Sequence, residues 1–221
     1  PKGGFDFFLE LQARQDRDWF KANKERYEAI WVRPFEALLA DLTERLQGEF
    51  PEIGKSQRHV FRIQRDTRFS ADKTPYKTHI AGHVQVRPYS GPEYGFVPSL
   101  YMHFGLEDNM VGIGNWEMSK ELLGRFRQAV ASERRGVRLQ RIVDDLQSAG
   151  IGLAAHDVLK RVPAPYPQDH PRAALLKLKG ISAGAGDVPE DLMAEPEFLD
   201  WMVNRSRQMA PIAHWLEETF A

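Results

Sequence analysis

The hydrophobic period changes twice along this chain, and that double change limits the folds open to it more than any other feature. Near the start, Phe20, Tyr27, Trp31, Phe35, Leu38, Leu42 and Leu46 recur at steps of three, four or seven, the spacing that lines up one buried helical face. The middle alternates with period two between glycine and proline punctuation, and four strands are predicted: His59 to Gln64, Lys77 to Arg87, Ser99 to Gly105 and Met110 to Ile113. The polar run Glu107-Asp108-Asn109 suits a tight antiparallel hairpin between the last two. After Trp116 the helical period returns. Helices, an antiparallel sheet of about four strands, then helices again define an α+β domain. The expected organisation is one domain over 1–221, helical over 5–50, carrying the sheet over 57–116 and helical over 117–221.

Local signals refine this outline. A short apolar segment runs from Phe5 to Leu11, after which Asp16 or Asp18 can cap a helix by accepting from its free first-turn amides. Pro34 lacks an amide hydrogen and disfavours helical geometry at Arg33, which predicts a kink or a break there. Helices are expected over Met118 to Ser132 and Val137 to Ser148, split at Gly136, and a last one from about Pro196 to Phe220 burying Phe198, Trp201, Met202 and Trp215. Gly180 to Gly186 is glycine-rich but lacks the lysine and hydroxyl residue that end a phosphate loop, so it reads as a helix end followed by a flexible loop.

Composition closes off several function classes. Thirty basic against thirty-one acidic residues leave a formal charge of -1, so no global field draws in nucleic acid or anionic membrane, and any affinity for anions must be local. Nucleic acid is accordingly not favoured as a partner. The chain has no cysteine, which excludes disulfides, thiol nucleophiles and cysteine-rich zinc sites. With no signal-like start and no apolar run of membrane-spanning length, a soluble, cytoplasmic protein is expected. Neither a cofactor nor an oligomeric state is legible.

The most informative stretch runs from Arg62 to Lys77. Its sixteen residues hold Arg62, Arg65, Arg68, Lys73 and Lys77 against Asp66 and Asp72, a local charge of +3. Two readings compete. Guanidinium forks and ammonium groups can converge on a phosphate or carboxylate at a strand-to-loop junction, where free backbone amides also bind anions. Alternatively, the arginines are held by the aspartates in a structural ion-pair network.

The pattern Arg62-x-x-Arg65-Asp66-x-Arg68-Phe69, followed by Lys73 and Tyr76, resembles the marker of an uncharacterised bacterial protein family that also occurs as a region of longer fungal proteins. Asp72, Pro75, Lys77 and Thr78 look like its usual neighbours, and the likeness extends to Trp19-Phe20, Asn23-Lys24, Tyr27 and Gly114 to Trp116. The resemblance implies no established activity, substrate or cofactor.

Other signals carry less. His79 and His83 lie four apart, but on a strand that spacing spans roughly 13 Å, too far for one ion; no metal is expected unless His59 or His103 approaches one of them. Ser70 has no assigned base. Arg134, Arg138 and Arg141 share a helical face that reads as a solvated stripe, and Trp116 reads as a residue closing the sheet.

The preferred expectation is a pocket for a small anionic ligand formed by Arg62, Arg65, Arg68, Lys73, Tyr76 and Lys77. Were it an enzyme, Asp66 or Asp72 would accept a proton, Lys73 or Arg68 would stabilise negative charge, and Tyr76 would orient the ligand or donate. An interaction module for nucleic acid or an acidic protein is the alternative, and a purely structural motif is the third.

Overall fold

The computed structural model describes residues 3–55, 57–88, 98–186 and 188–220. The chain opens with α1 (Gly4–Arg14), which buries Phe7, Phe8 and Leu11 on one face. In α2 (Arg17–Tyr27), Asp16 caps the first turn, its side chain accepting from Trp19 N at 2.8 Å. The predicted interruption at Pro34 takes a specific form. Glu28–Val32 make a π-helical turn between α2 and α3 (Arg33–Arg45), which places Pro34 in the first turn of α3, where a missing amide costs little. The chain therefore remains helical through the proline instead of breaking.

The sheet is larger than the sequence implied. Among the described residues it has six antiparallel strands in the order β1-β2-β3-β4-β6-β5: β1 (Arg58–Val60), β2 (His79–Gln85), β3 (Ser99–Gly105), β4 (Asn109–Asn115), β5 (Gly152–Ala154) and β6 (Ile181–Ala185). The last two come from the region expected to be only helical, and β6 occupies the glycine-rich stretch read as a flexible loop. Its pairing with β4 through five consecutive positions, Val111↔Ala185 to Asn115↔Ile181, overrides its weak intrinsic preference. The first predicted strand is shorter than expected, since Gln64 survives only as an isolated bridge to Tyr76.

Alternation divides the sheet into two unlike faces. Ile80, Val84, Leu100, Met102, Phe104, Val111 and Ile113 are buried in the core, where α3 meets β1 and β2 and α7 (Glu197–Phe220) meets β4 and β6. Gly82 lets Phe35 come close to the backbone, because a Cβ there would meet the ring at 2.7 Å. Helices α4 (Lys120–Ala131) and α5 (Glu133–Ser148) divide at Ser132, which caps α5, and not at Gly136. Gly136 instead sits in the crossing: a Cβ would lie 2.0 Å from Val130 O. Short α6 (Ala173–Leu176) precedes β6. Pro211 lies inside α7, which buries Phe198, Met202 and Trp215, while Trp201 is half-buried.

Candidate functional site

Six residues form one transverse row across the sheet. His59 pairs with His83, His83 with Tyr101, Tyr101 with Gly112, Gly112 with Gly184, and Gly184 with Gly152. Half of the row thus carries rings and half carries no side chain, on the face opposite the core. The result is a trough of about 790 Å³, with Gly112 and Gly184 in its floor and Phe61, His83, Tyr101 and Trp116 among its walls. That volume lies within the ordinary range of small-molecule sites.

The glycines are not equivalent. At Gly112 a Cβ would come within 2.9 Å of Ala183 O, so close strand approach requires glycine there. At Gly184 the nearest atom would be Met110 Sδ at 3.6 Å, and at Gly152 it would be Gly184 O at 3.9 Å. Strand pairing tolerates side chains at these two positions, and leaving Gly184 bare keeps the floor open. Trp116, expected to close the sheet, is 52% exposed and faces His156 edge-on with ring centroids 6.4 Å apart.

Three polar groups connect inside the trough. His103 Nε2 lies 2.8 Å from Asp108 Oδ1, and His103 Nδ1 lies 3.1 Å from the Tyr101 hydroxyl. The β3–β4 turn supplies Asp108, and alternation along β3 puts Tyr101 and His103 on the same face. Burial foremost, then the charge of Asp108, raises the Tyr101 phenol above its ordinary value. The histidines meet in pairs, His59 with His83 at 5.7 Å and His79 with His103 at 5.5 Å between ring centroids. Burial pushes His79 down to about 4, with the charges of His103 and Lys77 adding to it, and burial followed by His59 lowers His83. Among the described residues no group of three or more His, Asp or Glu is placed to hold a metal ion.

The arginine-rich motif forms a loop folded on itself beside the trough, closed by Arg65 N donating to Pro75 O and Lys77 N donating to Ile63 O, both at 2.9 Å. Most of its charged groups engage one another. Arg65 pairs with Asp72 and donates to Thr74 Oγ1 at 2.8 Å. Arg68 reaches Asp66 through Nε at 3.0 Å and Nη2 at 2.7 Å. Those bonds foremost, with a smaller contribution from the charge of Arg62, hold Asp66 down to about 2. Asp72 is lowered by hydrogen bonds from Thr74 before its bond from Arg65. Lys73 Nζ donates to Thr67 O at 2.8 Å. Tyr76 is buried against Phe20, ring centroids 4.4 Å apart.

Arg62, Arg65, Arg68, Lys73, Tyr76 and Lys77 therefore do not converge on one point. Arg62 and Lys77 differ from the other cations of the loop: among the described residues the side chain of neither makes a hydrogen bond or an ion pair. Lys77 Nζ stands 5.9 Å from the Phe61 centroid, and Phe61 in turn stands 6.3 Å from the Tyr101 ring. Burial, and then the charge of Arg62, lowers Lys77 below the usual lysine range. Arg138, part of the stripe read as solvated, pairs with Glu218 across to α7.

An α+β fold with an open sheet face and a self-bonded arginine loop at its rim is the class of protein this structure defines. The family described as conserved hypothetical protein (DUF2461) has a model that matches residues 4–215, and the chain belongs to that family. No curated protein and no solved structure gives a significant match. No helix among the described residues is long and apolar enough to cross a membrane.

Proposed function

We propose that the protein binds a small anionic organic ligand in the sheet trough, its body over the glycine floor and its anionic group toward Lys77 beside the Phe61 wall. The observation that carries this reading is the transverse row in which three rings give way to three glycines, two of them not demanded by strand packing. Lys77 supports the polarity of the pose, because a cation disfavoured by burial and by a neighbouring arginine gains most from an arriving anion. For Arg65, Arg68, Lys73 and Tyr76 the internal bonds support a structural role, that of fixing the loop at the trough's edge. A cytoplasmic location is the reading that a cysteine-free chain supports.

Thermal unfolding tests the proposal, with phosphate, nucleotides, sugar phosphates, aryl carboxylates and a short single-stranded RNA added to wild type, Lys77→Ala and Gly184→Val. A ligand bound only by the folded state raises its apparent stability. One class of small anion should stabilise wild type, act more weakly on Lys77→Ala and have no effect on Gly184→Val. A full panel without a shift, or a shift that survives Gly184→Val intact, would sink the idea.

A second reading has one observation in its favour. Phe69 is 95% exposed, with the Arg68 guanidinium 5.8 Å from its ring centroid, and an aromatic-cation tip of this kind suits contact with a nucleobase or an acidic protein surface. Stabilisation by RNA alone, lost in Phe69→Ala, would favour it.

A further inference from the structure

We propose that Asp108, His103 and Tyr101 form a nucleophilic triad, with Tyr101 Oη taking an acyl or phosphoryl group from a small anionic ester bound in the trough. This rests on the trough being a ligand site. The general signature of an activated nucleophile is a hydroxyl within hydrogen-bond reach of a base that a third group orients. Here the two links measure 3.1 Å and 2.8 Å, and all three residues line the same cavity.

The direction of the chain follows from what each atom can do. A carboxylate oxygen only accepts, so the neutral His103 imidazole carries its proton on Nε2 and donates to Asp108. Nδ1 is then an acceptor, and the Tyr101 hydroxyl donates to it. That leaves the lone pairs of Oη free on the trough side. His103 is only 9% exposed whereas the Asp108 side chain is 69% exposed, so the ring is fixed in place while its orienting group reaches solvent.

In the first step Oη bonds to the acyl carbon or phosphorus as its proton passes to His103 Nδ1. The ester bond breaks, and the leaving alkoxide takes that proton and departs as the alcohol. A water molecule then gives a proton to His103 while its oxygen bonds to the same carbon or phosphorus. The Tyr101 oxygen leaves and recovers the proton. Asp108 is a positioning residue throughout, holding the imidazole in its tautomer and stabilising the imidazolium.

The test uses 4-(fluorosulfonyl)benzoate, a flat anion whose sulfonyl fluoride reacts with activated phenols, on the full chain. Oη bonds to sulfur, the S–F bond breaks, and fluoride leaves as the phenol proton moves to His103. Peptide mass spectrometry should find the label on Tyr101 well ahead of the half-buried Tyr166. In His103→Gln and Asp108→Asn the rate should fall about 100-fold. The wild-type rate should level off at a lower pH than that of His103→Gln, which should keep rising until the phenol ionises; loss of a purely structural histidine would leave that profile unmoved. Unreactive 4-sulfobenzoate, read by thermal shift, reports binding separately. Stabilisation without labelling of Tyr101, or labelling unaffected by His103→Gln, overturns the triad and leaves the trough reading standing. Neither stabilisation nor labelling overturns both.

Discussion

Gln15 grips both backbone groups of Tyr76: its Nε2 donates to Tyr76 O at 3.2 Å and its Oε1 accepts from Tyr76 N at 3.0 Å. The residue ends α1 in a left-handed conformation, φ 41°, and so ties the first helix to the far side of the arginine loop. Gln15→Ala leaves a part-buried amide and carbonyl unpaired, which costs about 1–3 kcal/mol. Urea unfolding should record that loss, and limited proteolysis should cut between residues 61 and 78 faster than in wild type.

Arg172 is 6% exposed and holds the end of α4, donating from Nε to Val130 O at 2.7 Å and from Nη2 to Ala131 O at 3.1 Å. Its removal should destabilise the protein by about 3 kcal/mol, since buried carbonyls lose their partner. Gly136→Ala should be comparably harmful, because the added Cβ would lie 2.0 Å from Val130 O and 2.6 Å from Arg172 Nε. Calorimetry on both variants checks the pair.

The pH dependence should show two windows. His79 is depressed to about 4 in the fold, against an unfolded value of about 6.5. Between these values the unfolded chain binds more protons, so stability is complete above pH 6.5 and declines as pH falls toward 4. Asp66, held down to about 2 by Arg68, loses its contribution only lower, as pH falls from about 4 toward 2. Denaturation curves for His79→Gln should have a shallower upper slope, with His83, also lowered by burial, supplying what remains, and should retain the lower one.

Lys77→Met should leave stability unchanged or raise it. Burial and the charge of Arg62 already disfavour the ammonium group, and the thioether of methionine can take its place beside the Phe61 ring. A drop of more than about 1 kcal/mol in chemical denaturation would mean that the lysine has a structural partner.

Arg68→Ala should cost little stability, because its partner Asp66 and Arg68 itself are both well exposed, at 45% and 76% of their side chains. Arg65→Ala should cost more, since it removes the bond to Thr74 as well as the Asp72 pair from a half-buried position. Equal losses in the two denaturation curves would contradict this ordering.

Periodicity and local turn chemistry carried the α+β class, a cap at Asp16 or Asp18, of which Asp16 serves, the hairpin at Asp108 and the last helix. It did not reveal β5 or β6. Gly152–Ala154 is too short to show a period, and Ile181-Ser-Ala-Gly-Ala185 has almost no β-forming residues, so both exist through their neighbours. The motif's charge density was plain, but whether Arg65 meets Asp72 or a ligand depends on the loop's closure, which residue spacing does not encode. The trough left one faint signal: Tyr101 and His103 alternate against Leu100, Met102 and Phe104, with Asp108 in the turn beyond. A polar ring pair on the solvent side of a hairpin is common enough that nothing marked this one until the glycine strands appeared beside it.

The order of the sheet also sets a timetable. Strand β4 is made long before β6, its neighbour in space, and α4 and α5 lie between them in the chain. Until β6 emerges from the ribosome, β4 presents an unpaired edge and half of the trough floor does not exist. A nascent chain therefore has no site to fill before residue 185, and a ligand taken up in the trough would act as a late-stage chaperone, rewarding only molecules that have closed the last gap in the sheet.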